Sequence, residues 1–335
     1  MRYETLVIKN FKRFKDLTVP NLTNINLISG KNKVGKTSLL EAIYVHGGSG
    51  TPEIKLWTYP LSDVRPFWVF LFNDYDMRKT IEIHSQKLTV DDVLFIRNVE
   101  DEKEEILEEL SKYEAFPYRP ETSFLLETYQ QCSLCPDVIS YYTVLYERGT
   151  TSQPRPSQFP VVFLRFRSIE KLSQSYYKLY TDDFMNYLQI ITEIRKFDAN
   201  IYDVKILDIN GMPLLYIEDK EGLTPIYYES YSELELLNIC LGMYEARNGV
   251  LLIDNEDSLF HHSQLEAFWK LIDNLADMFK VQVFITTQSY ELITYASKVF
   301  KDSNKLNYYR LDENSVKVFD SSELQLMVEL GMEIR

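Results

Sequence analysis

Three cysteines in 335 residues exclude a disulfide framework and point to a reducing compartment, the cytoplasm. No apolar run is long enough to span a membrane, and Met1-Arg2-Tyr3-Glu4 does not open like a signal peptide. Positive charge is also scarce. A formal net charge of −14 argues against a surface that grips nucleic acid throughout. No internal repeat and no low-complexity tract occurs. What remains is 45% hydrophobic and 26% charged, the balance of an ordinary globular chain with one or two domains.

Against that background one stretch stands out: Gly30-Lys31-Asn32-Lys33-Val34-Gly35-Lys36-Thr37, a G-x-x-x-x-G-K-T loop. It follows the apolar run Asn24 to Ser29 and precedes the helix-forming Ser38 to Tyr44, so its context is strand, loop, helix. Such a loop turns successive backbone N–H groups toward one point, and the helix adds its positive end; phosphates bind there. Lys36 is expected on the β- and γ-phosphates and the Thr37 hydroxyl on Mg²⁺, with Ser38 completing the cradle. Residues 1–40 carry eight Lys/Arg against two acids, whereas residues 91–115 carry ten acids against three bases. A local basic face near the loop is therefore compatible with the acidic total.

The first segment, Leu6 to Phe14, reads as a strand followed by a basic-aromatic turn. Breakers at His46 to Gly50 end the helix after the loop. Residues 51–160 read as a mixed insertion with an acidic helix candidate at Asp101 to Tyr113, closed by the Gly149 to Pro156 loop. Core signals resume with a buried strand at Val161 to Leu164 and helical periodicity from Asp182 to Lys196. Strands at Tyr202 to Ile209 and Leu214 to Ile217 are hinged at Asn210-Gly211. A helix at Ser232 to Ala246 leads to the apolar run Val250-Leu251-Leu252-Ile253, which ends in Asp254. A further helix spans Ser263 to Met278, and the strand Val281 to Ile285 ends in Thr286-Thr287-Gln288-Ser289. Helices alternating with buried strands imply a largely parallel sheet covered on both faces. Asp254, at the carboxyl end of its strand, is suited to the Mg²⁺ shell. The structural alternative is a capping Asp.

These residues together make the chain resemble the prokaryotic AAA-labelled ATPases of ABC architecture, relatives of the RecF and SMC heads and of the OLD-type ATPase domains. The resemblance rests on Ile8 to Phe11, the phosphate loop, Leu236 to Ile239, Gly249 to Asp254, Thr286 to Glu291 and Leu330 to Arg335; it is weakest over 51–160. It implies an α/β fold, a P-loop NTPase of the ABC-type head, with a mostly parallel core sheet, an antiparallel β subsheet and a helical or mixed insertion. One domain is expected, with 1–50 and 161–335 as its core and the insertion at about 51–160. ATP and Mg²⁺ are the implied cofactors. The implied partner is a second copy, each ATP lying between one subunit's loop and the other's signature helix.

Three departures from the family pattern concern hydrolysis. Asn255 stands where a water-polarising Glu is usual, Gln288 where a γ-phosphate His is usual, and Ser230 and Ser232 where the signature loop has glycines. An amide orients a water but does not take its proton, and general-base assistance is worth on the order of 10²–10⁴-fold. Slow hydrolysis with intact binding is the expectation, unless Glu256 or Asp257 replaces the missing carboxylate. The leading reading is an ATP-controlled homodimeric switch in DNA maintenance or anti-phage defence, with a separate effector such as a nuclease. A competent ATPase driving an effector or DNA clamp, and a nucleotide-independent scaffold binding through the insertion, are the alternatives. DNA binding is disfavoured by the charge, and no membrane role is expected. No Toprim-like acidic signature is expected after the last strand. Cys132 and Cys135 have the spacing of half a zinc site without a second pair; His261-His262 has no ligand cluster; Arg165 and Arg167 could face a phosphate or form salt bridges.

Overall fold

The computed structural model describes residues 3–47, 71–76, 78–87, 90–98, 124–132, 138–146, 149–152, 159–164, 167–254, 260–332 and 334. The chain opens with strands β1 (Thr5–Phe11) and β2 (Phe14–Val19). Strand β3 (Ile25–Ser29) then leads through the phosphate loop into helix α1 (Lys36–Gly47). Strands β4 (Ile81–Lys87), β5 (Val90–Asn98), β6 (Phe124–Cys132), β7 (Val138–Tyr146) and β8 (Gly149–Ser152) follow. They extend the β1–β2 hairpin into a seven-stranded antiparallel sheet of order β2-β1-β4-β5-β6-β7-β8. The segment expected as a mixed insertion thus contributes strands to a sheet that the amino-terminal hairpin begins.

After β9 (Val161–Leu164) come helices α2 (Ile169–Asp182) and α3 (Phe184–Phe197). Strands β10 (Asp203–Ile209), β11 (Met212–Asp219) and β12 (Gly222–Pro225) form a small antiparallel sheet, with the expected hinge at Asn210 and Gly211, both at positive φ. Helix α4 (Tyr231–Glu245), strand β13 (Val250–Ile253), helix α5 (Leu265–Phe279), strand β14 (Gln282–Thr286) and helix α6 (Tyr290–Val299) continue the chain. Strands β15 (Leu306–Asp312) and β16 (Ser315–Asp320) and helix α7 (Ser321–Glu329) complete it.

The second large sheet has the order β16-β15-β3-β14-β13-β9, parallel throughout except for β16 at one edge. Strands β3, β14 and β13 are buried along their whole length because both faces are covered there. Side chains alternate between two cores. Val250 and Leu252 pack with α1 and the antiparallel sheet, while Leu251 and Ile253 pack beneath the remaining helices. Each such buried side chain contributes about 1.5–3 kcal/mol. Among the described residues no helix is long and apolar enough to cross a membrane.

Several element ends shift by one or two residues from the sequence reading, and two helical differences are larger in consequence. The periodicity over Asp182 to Lys196 corresponds to α3, but an unforeseen helix, α2, precedes it. Asp183 divides them: its N–H closes α2 on Leu179 O, while its carboxylate accepts from Asn186 N at 3.4 Å and caps α3. The helix expected from Ser263 begins at Leu265, after a 3-10 turn over His262–Gln264.

Candidate nucleotide site

The loops that follow β3, β13 and β14 leave the carboxyl ends of three adjacent parallel strands, where open α/β sheets place their ligands. The phosphate loop has no spare room at its two glycines. Gly30 has φ +147°, and a Cβ there would lie 2.4 Å from the Leu311 carbonyl oxygen. Gly35 has φ +112°, and a Cβ would meet the buried Phe14 ring at 2.7 Å. The loop is therefore wedged between β15 and β2, with Lys33 also at positive φ. Lys36, 8% exposed, curls back so that Nζ donates to Gly30 O at 2.7 Å and Lys31 O at 3.1 Å.

Across the loop, Thr37 Oγ1 donates to Asp254 Oδ2 at 2.8 Å, and Thr286 Oγ1 donates to Asp254 Oδ1 at 2.5 Å. Asp254 thereby joins the helix start to the ends of β13 and β14. A hydroxyl and a carboxylate this close are hard oxygen donors of the kind Mg²⁺ takes, one or two from protein and the rest from water and phosphate. Among the described residues no group of three or more His, Cys, Asp or Glu side chains is placed to hold a metal ion. Thr287 N donates to Ile28 O at 2.9 Å, holding the next turn against β3. From that turn Gln288 Nε2 donates to Asn32 Oδ1 in the loop.

Beside the loop lies a cavity of about 580 Å³. Lys33, Val34 and Ser38 line it from the loop, Lys12, Arg13 and Lys15 from the β1–β2 turn, and Glu313 and Asn314 from the β15–β16 turn. Phe72 to Tyr75 close the remaining side. Four cations against two carboxylates leave it positive, although Lys12 is also paired with Glu41 at 2.5 Å. The sequence shows the basic turn but not this cavity, because two of its walls come from residues some 60 and 300 positions away from the turn.

A family model described as an AAA ATPase domain matches residues 1–131. The chain is 38% identical over 45 residues to the DNA replication and repair protein RecF of Acetivibrio thermocellus, covering 13% of this chain and 12% of RecF. An SMC head bound to the C-winged helix domain of ScpA superposes with a TM-score of 0.50 at 15% identity, covering 95% of this chain and 97% of that one. The fold is that of an ABC/SMC-like ATPase head. The head is also 46% identical over 41 residues to an ATP/GTP phosphatase of Helicobacter pylori, 12% of this chain and 11% of that one. The first curated relatives are thus matched over less than a fifth of their own length.

Not every expected residue of the head meets at the loop. Ser230 and Ser232 lie at the start of α4, where their hydroxyls approach each other at 2.6 Å and Ser230 also donates to Glu233. Ser230 is exposed and flanked by exposed Tyr228 and Tyr231. Asn255, Glu256 and Asp257 lie outside the described residues, as do Arg165, Cys135 and the acidic stretch Asp101 to Tyr113. Cys132 falls in β6. Arg167 is engaged by Glu245, with Nη1 to Oε1 at 3.0 Å and a second bond from Nη2, the salt-bridged arrangement. His261 caps the 3-10 turn, accepting from Ser263 N at 3.4 Å while Gln264 accepts from His261 N. Thr286, the second hydroxyl on Asp254, had no role assigned from sequence; its place directly before Thr287-Gln288 was the available signal.

Proposed function

We propose that this head binds ATP with Mg²⁺, closes on a second copy of itself, and releases itself slowly because hydrolysis is impaired. The observation that carries the reading is the convergence of Lys36, Thr37, Asp254 and Gln288 on one loop. Lys36 would exchange the Gly30 and Lys31 carbonyls for β- and γ-phosphate oxygens, its ammonium already held above the loop. Thr37 and Asp254 would hold Mg²⁺, which supplies neutralising charge to the phosphates when bound. Gln288 would give its amide N–H to a γ-phosphate oxygen, a neutral donor that stabilises binding without transferring a proton. Asn255 would orient a water and leave its proton in place, which removes on the order of 10²–10⁴-fold of general-base assistance.

The serine pair at the start of α4, with Ser230 exposed, would face the γ-phosphate held by the second copy, so that neither chain completes a site alone. The SMC head bound to the C-winged helix domain of ScpA is a precedent for a head of this fold holding another protein. The setting we favour is DNA maintenance or anti-phage defence, with the effector, such as a nuclease, on a separate cytoplasmic chain; the −14 net charge weighs against a DNA clamp. Sedimentation tests the switch. ATP with Mg²⁺ is expected to convert monomer to dimer in the unmutated protein and to leave Lys36→Ala monomeric. A mass indifferent to ATP would sink the reading.

A further inference from the structure

Five of the ten non-glycine residues at positive φ among the described residues line the basic cavity: Lys12, Lys33, Asp74, Tyr75 and Asn314. Left-handed backbone at Asn is cheap, but at a bulky aromatic it is an outlier, and such outliers gather at ligand clamps. Asp74 and Tyr75 adopt it consecutively, at φ 55° and 58°. The segment before them is firmly tied. Lys12 N donates to Leu71 O at 2.7 Å, Asn73 Nδ2 donates to Lys12 O at 2.9 Å, and Phe72 is buried. A fixed base thus carries a strained tip, and that tip holds a tyrosine 66% exposed at the rim of a cavity it helps to line.

We propose that Tyr75 is the platform on which the base of the bound nucleotide stacks. This rests on the phosphate loop being a nucleotide site. Phosphates held over the first turn of α1 place the rest of the ligand beyond Ser38, and Ser38 lines this cavity together with Lys33 and Val34. The cations at its mouth suit the phosphate nearest the ribose, and 580 Å³ is ample for a nucleoside. An exposed aromatic ring offers a flat apolar face to a purine, whose stacking needs no hydrogen-bond pattern. Asp74 and Glu313 add acceptors at the edge, which suits the exocyclic amino group that adenine carries.

The test is calorimetric titration of the full chain with ATP and, separately, with inorganic tripolyphosphate, each with Mg²⁺. Tyr75→Ala keeps a Cβ and so leaves the backbone strain as it is, which isolates the ring. It is expected to weaken ATP about tenfold or more while tripolyphosphate binds as before. Tyr75→Phe is expected to bind ATP like the unmutated protein. Unchanged ATP affinity in Tyr75→Ala, or an equal loss for both ligands, would overturn the stacking role alone. Failure of the unmutated protein to bind ATP would overturn the nucleotide reading of the loop as well.

Discussion

Gly30 shows how a single position constrains the site. Its φ of +147° and the Leu311 carbonyl 2.4 Å from a built Cβ leave no room for any side chain. Gly30→Ala is expected to cost about 1–3 kcal/mol of stability and to displace the loop, seen as a lower melting temperature and lost ATP binding. A variant as stable and as competent as the unmutated protein would show that the loop adapts freely. That Lys36 opens a helix after β3 and that Asp254 ends β13 was legible in the sequence, because a short, demanding motif marks the first and an apolar run the second. Thr286 was less so, since a hydroxyl acquires meaning only once β14 is seen beside β13.

At the scale of elements, the caps carry a testable electrostatic signature. Asp320 begins α7 with a capping box, accepting from Ser322 N and Glu323 N at 2.9 Å each, while Glu323 accepts from Asp320 N. The Ser322 hydroxyl and these backbone N–H groups hold its carboxyl below the ordinary value of 3.8. Because the folded value is depressed, the stabilisation is complete above pH 3.8 and is lost as pH falls through the lower folded value. Asp320→Ala should therefore cost about 1 kcal/mol at neutral pH and progressively less on acidification, measured by urea unfolding. An equal difference at pH 7 and pH 2 would rule out the charged cap.

The parallel core strands β3, β13 and β14 could be read from apolar runs, since a strand covered on both faces has no polar alternation to disguise it. Helix α2 was missed although Leu172, Tyr176 and Leu179 form its buried stripe, because Tyr177 and Tyr180 put similar bulk on the exposed side. The antiparallel strands β4 to β8 were hidden for a different reason. Only β4 is placed by pairing with the distant β1; β5 to β8 pair in chain order, and a composition rich in both charge and aromatics carries no register.

For the whole molecule, two cores on either side of one parallel sheet fix the ends of β3, β13 and β14, and so fix the candidate nucleotide site. With Asn255 in place, such a site is proposed to bind ATP and split it slowly. Steady-state ATP turnover compared between the unmutated protein and Asn255→Glu tests it most directly. The expected result is slow turnover in the former and a gain on the order of 10²-fold in the latter, with ATP affinity unchanged. Brisk turnover with Asn255 in place, unaltered by the added carboxylate, would contradict it.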